Sequence, residues 1–236
     1  MITLFLLIKR FLKEYRNSFI NNKNIKIKIF YFFKFIYHNY YFQDNPLSLK
    51  LPWITYAAYD FLINKINKSF VVFEYGTGGS TLFFLSKVSE LVSVEHDETW
   101  FQFVKERLNK IQFNGLHEFH LVVPTLQINN EIEMKSYQMK EYKHFDFKDY
   151  VSIIDNYSSE YFDLILIDGR ARPYCFYRCL SKVKPGGYIV LDNSERKHYQ
   201  DVLNQHKDWI VFDFFSPTIA SLRFTKTTIF QKPLLN

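Results

Sequence analysis

Apolar positions along the chain recur with two periods, and beyond residue 52 the two take turns. Residues 53–67 are spaced as a helix, and "SFVVFEYG" is a short apolar run that closes on an acid and a glycine, as a strand buried on both faces does. Residues 80–88 return to helical spacing, and "LVSVEHD" reads as a second strand. The segment "TWFQFVKERLNKI" then sets Trp100, Phe101, Val104, Leu108 and Ile111 on one helical face. "FHLVV" and "YFDLILIDG" predict a third and a fourth strand, "PYCFYRCLSKV" a helix, and "GYIVLDN" a fifth strand. "WIVFDFF" and "TTIFQK" close the chain as a hairpin. Strands alternating with helices predict an α/β domain with a mostly parallel sheet covered on both faces. The last two strands, with no helix between them, predict an antiparallel strand at one edge.

Two stretches break this rhythm. Residues 124–159 separate strands three and four, mix acidic, basic and polar positions, and predict one helix at "DFKDYVSIIDNY". A connection of that length suits a substrate-covering insertion. At the other end, residues 1–50 form a basic, aromatic arm and linker ahead of a domain at 51–236. Leu4, Leu7, Ile8, Phe11 and Tyr15 make a helical stripe beside Lys9, Arg10, Lys13 and Arg16. "IKIKIFYFFKFIYHNYYF" alternates at its start like a strand, and "DNPLSLKLP" reads as the linker.

Charge sharpens this division. The whole chain carries a formal net charge of +6 with 26 Phe and 17 Tyr. Residues 1–50 hold nine Lys and Arg against two acids, so the basic character belongs to the arm. Such an arm suits an anionic membrane surface, a nucleic-acid backbone or another subunit of a homo-oligomer. It contains no recognisable nucleic-acid motif, which sets nucleic acid behind the other partners. The seven-residue run "ITLFLLI" is far short of the roughly 20 residues a spanning helix needs, and its cations follow the apolar run, unlike those of a signal peptide. Cys175 and Cys179, four apart in a predicted helix, read as core residues in a reducing compartment. The expected location is cytoplasmic, with peripheral contact at the inner membrane surface through residues 1–43.

Candidate chemistry sits at the strand ends. "FEYGTGGSTLFF" follows the first strand, and its glycines let the backbone approach a ligand and aim helix-start N–H groups at it. Counted from Gly76 the spacing is Gly-x-Gly-x-x-Thr, so Thr81 replaces the third glycine of the dinucleotide pattern and a pyrophosphate is not implied. The alternative spacing is acid-x-Gly-x-Gly-x-Ser, through Glu74, Gly76, Gly78 and Ser80. Glu95 ends the second strand 19 residues after Gly76, Asp168 ends the fourth in "LILIDGR", and "VKPGGYIVLDN" leads into the fifth. In this order the motifs resemble those of the class I S-adenosylmethionine-dependent methyltransferases over residues 52–236. "PWITYAAYDFL", "SVEHDETW", "DGRAR" and "LDNSER" are similar to a bacterial branch of uncharacterised methyltransferases.

The resemblance implies a Rossmann-like methyltransferase fold with a mostly parallel seven-stranded sheet, helices on both faces and an antiparallel edge strand. It implies S-adenosylmethionine as cofactor, held by Glu74 at its ammonium, by the turn Gly76, Thr77, Gly78 and Ser80 at its carboxylate, and by Glu95 at the ribose hydroxyls. His96 and Asp168 complete the cofactor set.

Asp168 with the pair Asp192 and Asn193 is similar to the metal site of small-molecule O-methyltransferases, which implies Mg²⁺ at those three residues. Those relatives carry a lysine base three residues after the fourth-strand Asp, and here that position is Ala171. Arg170 and Arg172 flank it and suit an anionic group on the substrate, and arginine does not serve as a base at neutral pH. Asp168, His198 and a metal-bound water are then the candidates for taking a proton, with Arg170 beside them. "DGRARPY" also lacks the signature of nucleobase amino-group methylation, which favours an oxygen on a small-molecule or glycan-type acceptor. RNA methylation and a catalytically silent cofactor-binding partner subunit are the alternatives.

Overall fold

The structure is a computed structural model that describes residues 3–21, 28–42, 46–113, 115–127, 132–136, 140–204 and 208–234. Seven strands form its main sheet: β1 (Val71–Tyr75), β2 (Glu90–Glu95), β3 (Leu116–Leu121), β4 (Phe162–Ile167), β5 (Val183–Asp192), β6 (Ile210–Pro217) and β7 (Phe224–Gln231). Their spatial order is β3-β2-β1-β4-β5-β7-β6, with the first five parallel. Strand β7 runs antiparallel to both β5 and β6. The antiparallel strand therefore sits one place in from the edge, because a tight hairpin returns β7 into the gap beside β5.

The central strands read as apolar runs because both faces are covered. Phe73 and Tyr75 of β1 enter one core with Ile165, Ile167, Phe176 and Ile189, while Val72 enters the other with Phe83, Phe84, Leu164 and Val190. Helices α4 (Tyr56–Ile63) and α5 (Gly79–Leu85) cover the second face. On the first face lie α7 (Lys148–Ser152), α8 (Arg172–Cys179) and α9 (Gln200–Asn204). Helix α6 (Glu98–Leu108) begins at Asp97, whose side chain accepts from the Trp100 amide at 2.8 Å, and ends with Lys105 and Arg107 against its negative pole. Both cysteines are buried in α8.

The N-terminal segment is helical throughout its described part. Helices α1 (Leu4–Asn21) and α2 (Ile29–Tyr41) pack together, followed by the single turn α3 (Pro46–Leu49) inside the expected linker, where Leu47 is buried. The strand expected from "IKIKIF" is not formed at its described end: Lys28 is an extended N-cap and the helix starts at Ile29. Tyr31, Phe35 and Asn39 are buried at four-residue spacing, so burial on one helical face overrides the local alternation. Residues 22–27 and 43–45 lie outside the described residues. Phe11, Tyr31 and Phe35 share a core with Tyr56, Ile219, Ala220 and Phe224, which anchors α1 and α2 on the β6–β7 hairpin.

Within the insertion, Thr125–Leu126 pairs antiparallel with Phe145–Asp146, a 3₁₀ turn spans Lys140–Tyr142, and a second, Ile153–Asn156, follows α7. Residues 128–131 and 137–139 lie outside the described residues. Phe147, Tyr150, Val151 and Ile154 are fully buried, so this segment closes one face of the core.

Candidate functional site

Backbone contact between two turns builds the floor of the site. Gly76, at φ +87°, sits against Gly169, and a Cβ on residue 76 would lie 2.8 Å from the Gly169 backbone. A Cβ on residue 169 would lie 1.9 Å from the Tyr150 hydroxyl, so the turns after β1 and β4 meet only because both residues lack a side chain. The Gly76 amide donates to the Val94 carbonyl at 2.8 Å, tying the turn to β2.

Glu74 lies beneath this turn with no exposed surface. Its Oε1 accepts from the Thr81 hydroxyl at 2.5 Å and from the Ser93 hydroxyl at 2.8 Å. Ser93 is its register partner on β2, and Thr81 stands one turn into α5. Oε2 is buried with no hydrogen-bond partner among the described residues. Burial pushes the Glu74 carboxyl up to about 7, against the downward pull of the Ser80, Thr81 and Ser93 hydroxyls. Ser80 is itself buried.

Glu95, at the end of β2, is the opposite case. Its Oε2 accepts from the Thr77 amide at 3.1 Å and the Thr77 hydroxyl at 2.9 Å, and its Oε1 from the amides of His96 at 2.8 Å and Asp97 at 3.0 Å. Burial raises its pKa, but His96 and the amides of Asp97 and Thr77 outweigh burial and hold it below the ordinary range. The acceptor sites expected to serve ribose hydroxyls are thus filled by the protein, and Glu95 fastens the glycine turn to β2. The Trp100 indole adds a second fastener, donating to the Thr77 carbonyl at 2.8 Å.

Of the turn amides expected to face a carboxylate, Thr77 is taken by Glu95 and Gly78 donates to the Thr81 hydroxyl at 3.0 Å. The start of α5, at Gly79 and Ser80, is what remains for that role. His96 lies in an aromatic nest of Tyr142, Phe147 and Tyr150, with ring centroids 5.3, 5.8 and 5.9 Å away. Its Nδ1 is 2.7 Å from Glu95 Oε1 but off the hydrogen-bonding line, and neither ring nitrogen has a hydrogen-bond partner among the described residues. Through Tyr142 and Phe147 the insertion thereby reaches the strand ends.

The acids of β4 and β5 converge on one arginine. Arg172, only 4% exposed, donates Nε to the Gly169 carbonyl at 3.0 Å and Nη2 to the Asp168 carbonyl and Oδ1, each at 2.8 Å. Its Nη1 donates to the Asp192 carbonyl at 2.6 Å and faces Asp192 Oδ2 at 3.4 Å and Asn193 Oδ1 at 3.5 Å. Asp192 Oδ1 also accepts from Thr227 at 2.9 Å, and Asn193 Oδ1 from Arg196 at 2.5 Å. Burial is the main cause raising the carboxyls of both Asp168 and Asp192, with Arg172 opposing it in each.

This overturns two expectations. Asp168, Asp192 and Asn193 do come together, but the guanidinium stands between them and supplies the positive charge, so the set does not fit a Mg²⁺ ion. No cluster of His, Cys, Asp and Glu among the described residues has metal-holding geometry. Arg172 is also sealed off, not presented to an anionic substrate.

Arg170 lies over the Tyr142 ring, its guanidinium carbon 5.7 Å from the centroid. His198 is exposed after β5, its ring edge-on to Tyr199 at 4.3 Å. Partial burial and the charges of Arg196 and Arg172 lower its pKa. Asp168 keeps part of its side chain open, and among the described residues only its Oδ1 takes a hydrogen bond.

Elsewhere, a polar cleft of about 510 Å³ opens on the insertion between Thr125, Gln127, Glu133 and Lys148. Its buried acid, Asp146, already accepts from the amides of Glu133, Met134 and Lys148 and so holds the turn.

Ser93, Gly169 and Tyr150 were not singled out by the spacing of motifs, and Thr81 stood out only as the residue in place of a third glycine. A serine inside the apolar run "LVSVE" and a hydroxyl seven residues after Glu74 were the available signals.

No protein-family model and no curated protein sequence matches the chain. Solved structures do resemble it. A candidate methyltransferase from Streptococcus mutans in complex with SAH superposes with a TM-score of 0.51 at 12% identity, covering 74% of this chain and 96% of that one. An rRNA methylase from Streptococcus thermophilus gives 0.50 at 11% identity over 76% and 95%. A candidate rRNA methylase from Clostridium thermocellum gives 0.51 at 9% identity over 79% and 99%. Strand order, the glycine turn after β1 and these likenesses agree: the chain has the class I S-adenosylmethionine-dependent methyltransferase fold.

Proposed function

We propose that the protein transfers a methyl group from S-adenosylmethionine to an oxygen of a small-molecule or glycan-type acceptor, without a divalent metal. The observation that carries this reading is Glu74: a buried carboxylate at the end of β1, held among the described residues only by hydroxyls and with one oxygen unpartnered there. A buried acid so placed is stabilised by a ligand that brings its own cation, as an amino-acid ammonium does. The first amides of α5 suit the neighbouring carboxylate, and His96 and Trp100 flank the turn. When bound, the cofactor supplies an electrophilic methyl group on a sulfonium.

The chain's own task is to align the acceptor and remove its proton. Asp168 is the residue for that step. Arg172 fixes its Oδ1, its other oxygen is open, and burial raises its affinity for a proton. Arg170, above Tyr142 at the same edge, is placed to orient the acceptor.

RNA as the acceptor is the second reading, favoured by two of the superposed structures being an rRNA methylase and a candidate one. Calorimetric titration with S-adenosylhomocysteine tests the cofactor assignment, and a folded protein that does not bind it refutes both readings. Transfer of a labelled methyl group to glycan and phenolic acceptors, set against ribosomal RNA, separates the two. Asp168→Asn is expected to lower the rate on the true acceptor at least about 100-fold, in line with loss of a general base, while leaving S-adenosylhomocysteine affinity within a few-fold.

A further inference from the structure

We propose that α1 and α2 seat the carboxyl edge of the sheet on an anionic phospholipid surface. The outer face of α2 is apolar and uncovered by any described residue: Ile29 is 73% exposed, Phe33 61% and Tyr41 66%, with Phe30, Tyr37 and Tyr40 beside them. Spacing places these side chains on one side of the helix, opposite the buried Tyr31, Phe35 and Asn39. A contiguous aromatic face of this kind on an otherwise ordinary surface marks a contact site. The outer face of α1 interleaves Phe5, at 72% exposure, and Leu12 with the exposed cations Lys9, Lys13 and Arg16. No helix among the described residues is long and apolar enough to cross a membrane. Apolar side chains that enter the headgroup region, among cations that stay in the water, are the pattern of a helix lying in the interface.

Charge selects the occupant. Within residues 3–42 the described side chains hold six cations against one acid: Arg10 pairs with Glu14 and Lys34 with Asp60 of the domain, while Lys9, Lys13, Arg16 and Lys28 lie exposed. A second copy of the same face would bring cations onto cations, whereas anionic headgroups complement them. RNA phosphates would meet the cations but leave the row of Ile29, Phe30 and Phe33 without a partner.

Topology then ties this face to the site. Because β7 runs antiparallel to β5, its first residues lie beside the carboxyl end of β5, with Thr227 in register with Asp192. The β6–β7 turn that carries α1 and α2 is therefore at the acid-bearing edge. Arg10 donates to the Leu222 carbonyl at 3.0 Å and Asn39 to the Ser221 carbonyl at 3.3 Å, which locks both helices there. A surface bound by these helices lies on the carboxyl side of the sheet, where Asp168 is partly open, so an acceptor anchored in that surface is presented to that side. The docking itself stands whether or not the methyl-transfer reading holds.

Sedimentation of the full-length protein with phosphatidylcholine vesicles, with and without phosphatidylglycerol, tests the proposal. Binding is expected only with the anionic lipid, weakening as salt rises. The triple change Lys9→Gln, Lys13→Gln, Arg16→Gln is expected to lower the partition coefficient about 100-fold, at roughly fivefold per cation. Phe30→Ser with Phe33→Ser, both exposed and so compatible with folding, is expected to abolish binding while leaving the melting temperature and S-adenosylhomocysteine affinity in place. Failure of the folded wild type to bind anionic vesicles overturns the proposal. So does self-association that the Phe30→Ser, Phe33→Ser protein loses without any vesicle binding by the wild type, or tight RNA binding in place of lipid.

Discussion

Two pairs of acids close adjacent parts of the same sheet, and the protein neutralises them by different means. Asp168 and Asp192, at the ends of β4 and β5, are bridged by the Arg172 guanidinium. Glu74 and Glu95, on β1 and β2, have no lysine or arginine paired with them among the described residues, and hydroxyls, amides and His96 hold them. Within the second pair, His96 and backbone amides hold the Glu95 pKa down, while burial raises that of Glu74 against the pull of three hydroxyls. A supplied cation neutralises an acid within the fold and here leaves only the open oxygen of Asp168 for chemistry. An acid left without one is a place for a cationic ligand.

The largest effect should come from removing the bridging cation. Arg172→Gln leaves two carboxylates buried and unpaired and is expected to cost about 3–5 kcal/mol, measured by urea denaturation. Arg172→Lys should recover little, because one ammonium cannot reach the carbonyls of Gly169, Asp168 and Asp192 that the planar fork serves together. In the wild type, neither EDTA nor millimolar Mg²⁺ should move the melting temperature. A Mg²⁺-dependent rise there would mean that the guanidinium yields its place to a metal, and the contrast between the pairs would fail.

Next in size is the response of Glu74 to pH. Its folded-state pKa is raised from 4.5 to about 7 by burial, so the folded protein holds a proton through a range in which the unfolded chain has released it. Its contribution to stability is therefore highest below pH 4.5 and declines as pH rises to about 7, with no further change above. Glu74→Gln removes this dependence, so the stability difference between variant and wild type should shift in the variant's favour by about 2 kcal/mol between pH 5.5 and 8. Binding carries the opposite sign. Pairing an ammonium requires the carboxylate, so S-adenosylhomocysteine affinity should rise with pH up to about 7 in the wild type. Glu74→Gln should bind about 10–100-fold more weakly, the usual worth of a charged hydrogen bond, and without that slope. A wild-type affinity that is flat from pH 5.5 to 8 would remove Glu74 from the cofactor site.

These contrasts separate what the sequence carries from what only the fold supplies. Strand identity was legible, because runs such as "VVFEY" and "LILI" have no other place than a sheet buried on both faces, but the place of the antiparallel strand, one in from the edge, was not. The acids at the strand ends were legible for the same reason, each closing an apolar run. Their partners were not. Arg172 is four residues from Asp168 and 20 from Asp192, and its neutralising role exists only once β4 and β5 lie side by side. Read by spacing alone, Asp168, Asp192 and Asn193 look like ligands awaiting a metal, since spacing shows the acids and not the cation that fills the space between them. The donors that fill Glu95 were hidden in the same way: three are backbone amides, which carry no side-chain signature. At Ile29 and Phe30, the described end of the alternation in "IKIKIF", a helical face that has a core to enter prevailed.

The smallest expected effect probes how finely Glu74 is set. Thr81 donates to Glu74 Oε1 at 2.5 Å and accepts from the Gly78 amide at 3.0 Å, so one hydroxyl joins the acid to the glycine turn. Thr81→Val keeps the shape and removes both bonds, for an expected loss of about 1–2 kcal/mol in urea denaturation. Because that hydroxyl lowers the Glu74 pKa against burial, its removal should also move the pH midpoint of S-adenosylhomocysteine binding upward, whereas Thr81→Ser should keep it. Glu95 shares no hydrogen-bond donor with Thr81, so its hold on Thr77 should persist and the turn should stay in place. A midpoint unmoved by Thr81→Val, with stability lowered as expected, would show that the titrating group read in binding is not Glu74 but another acid of the strand ends.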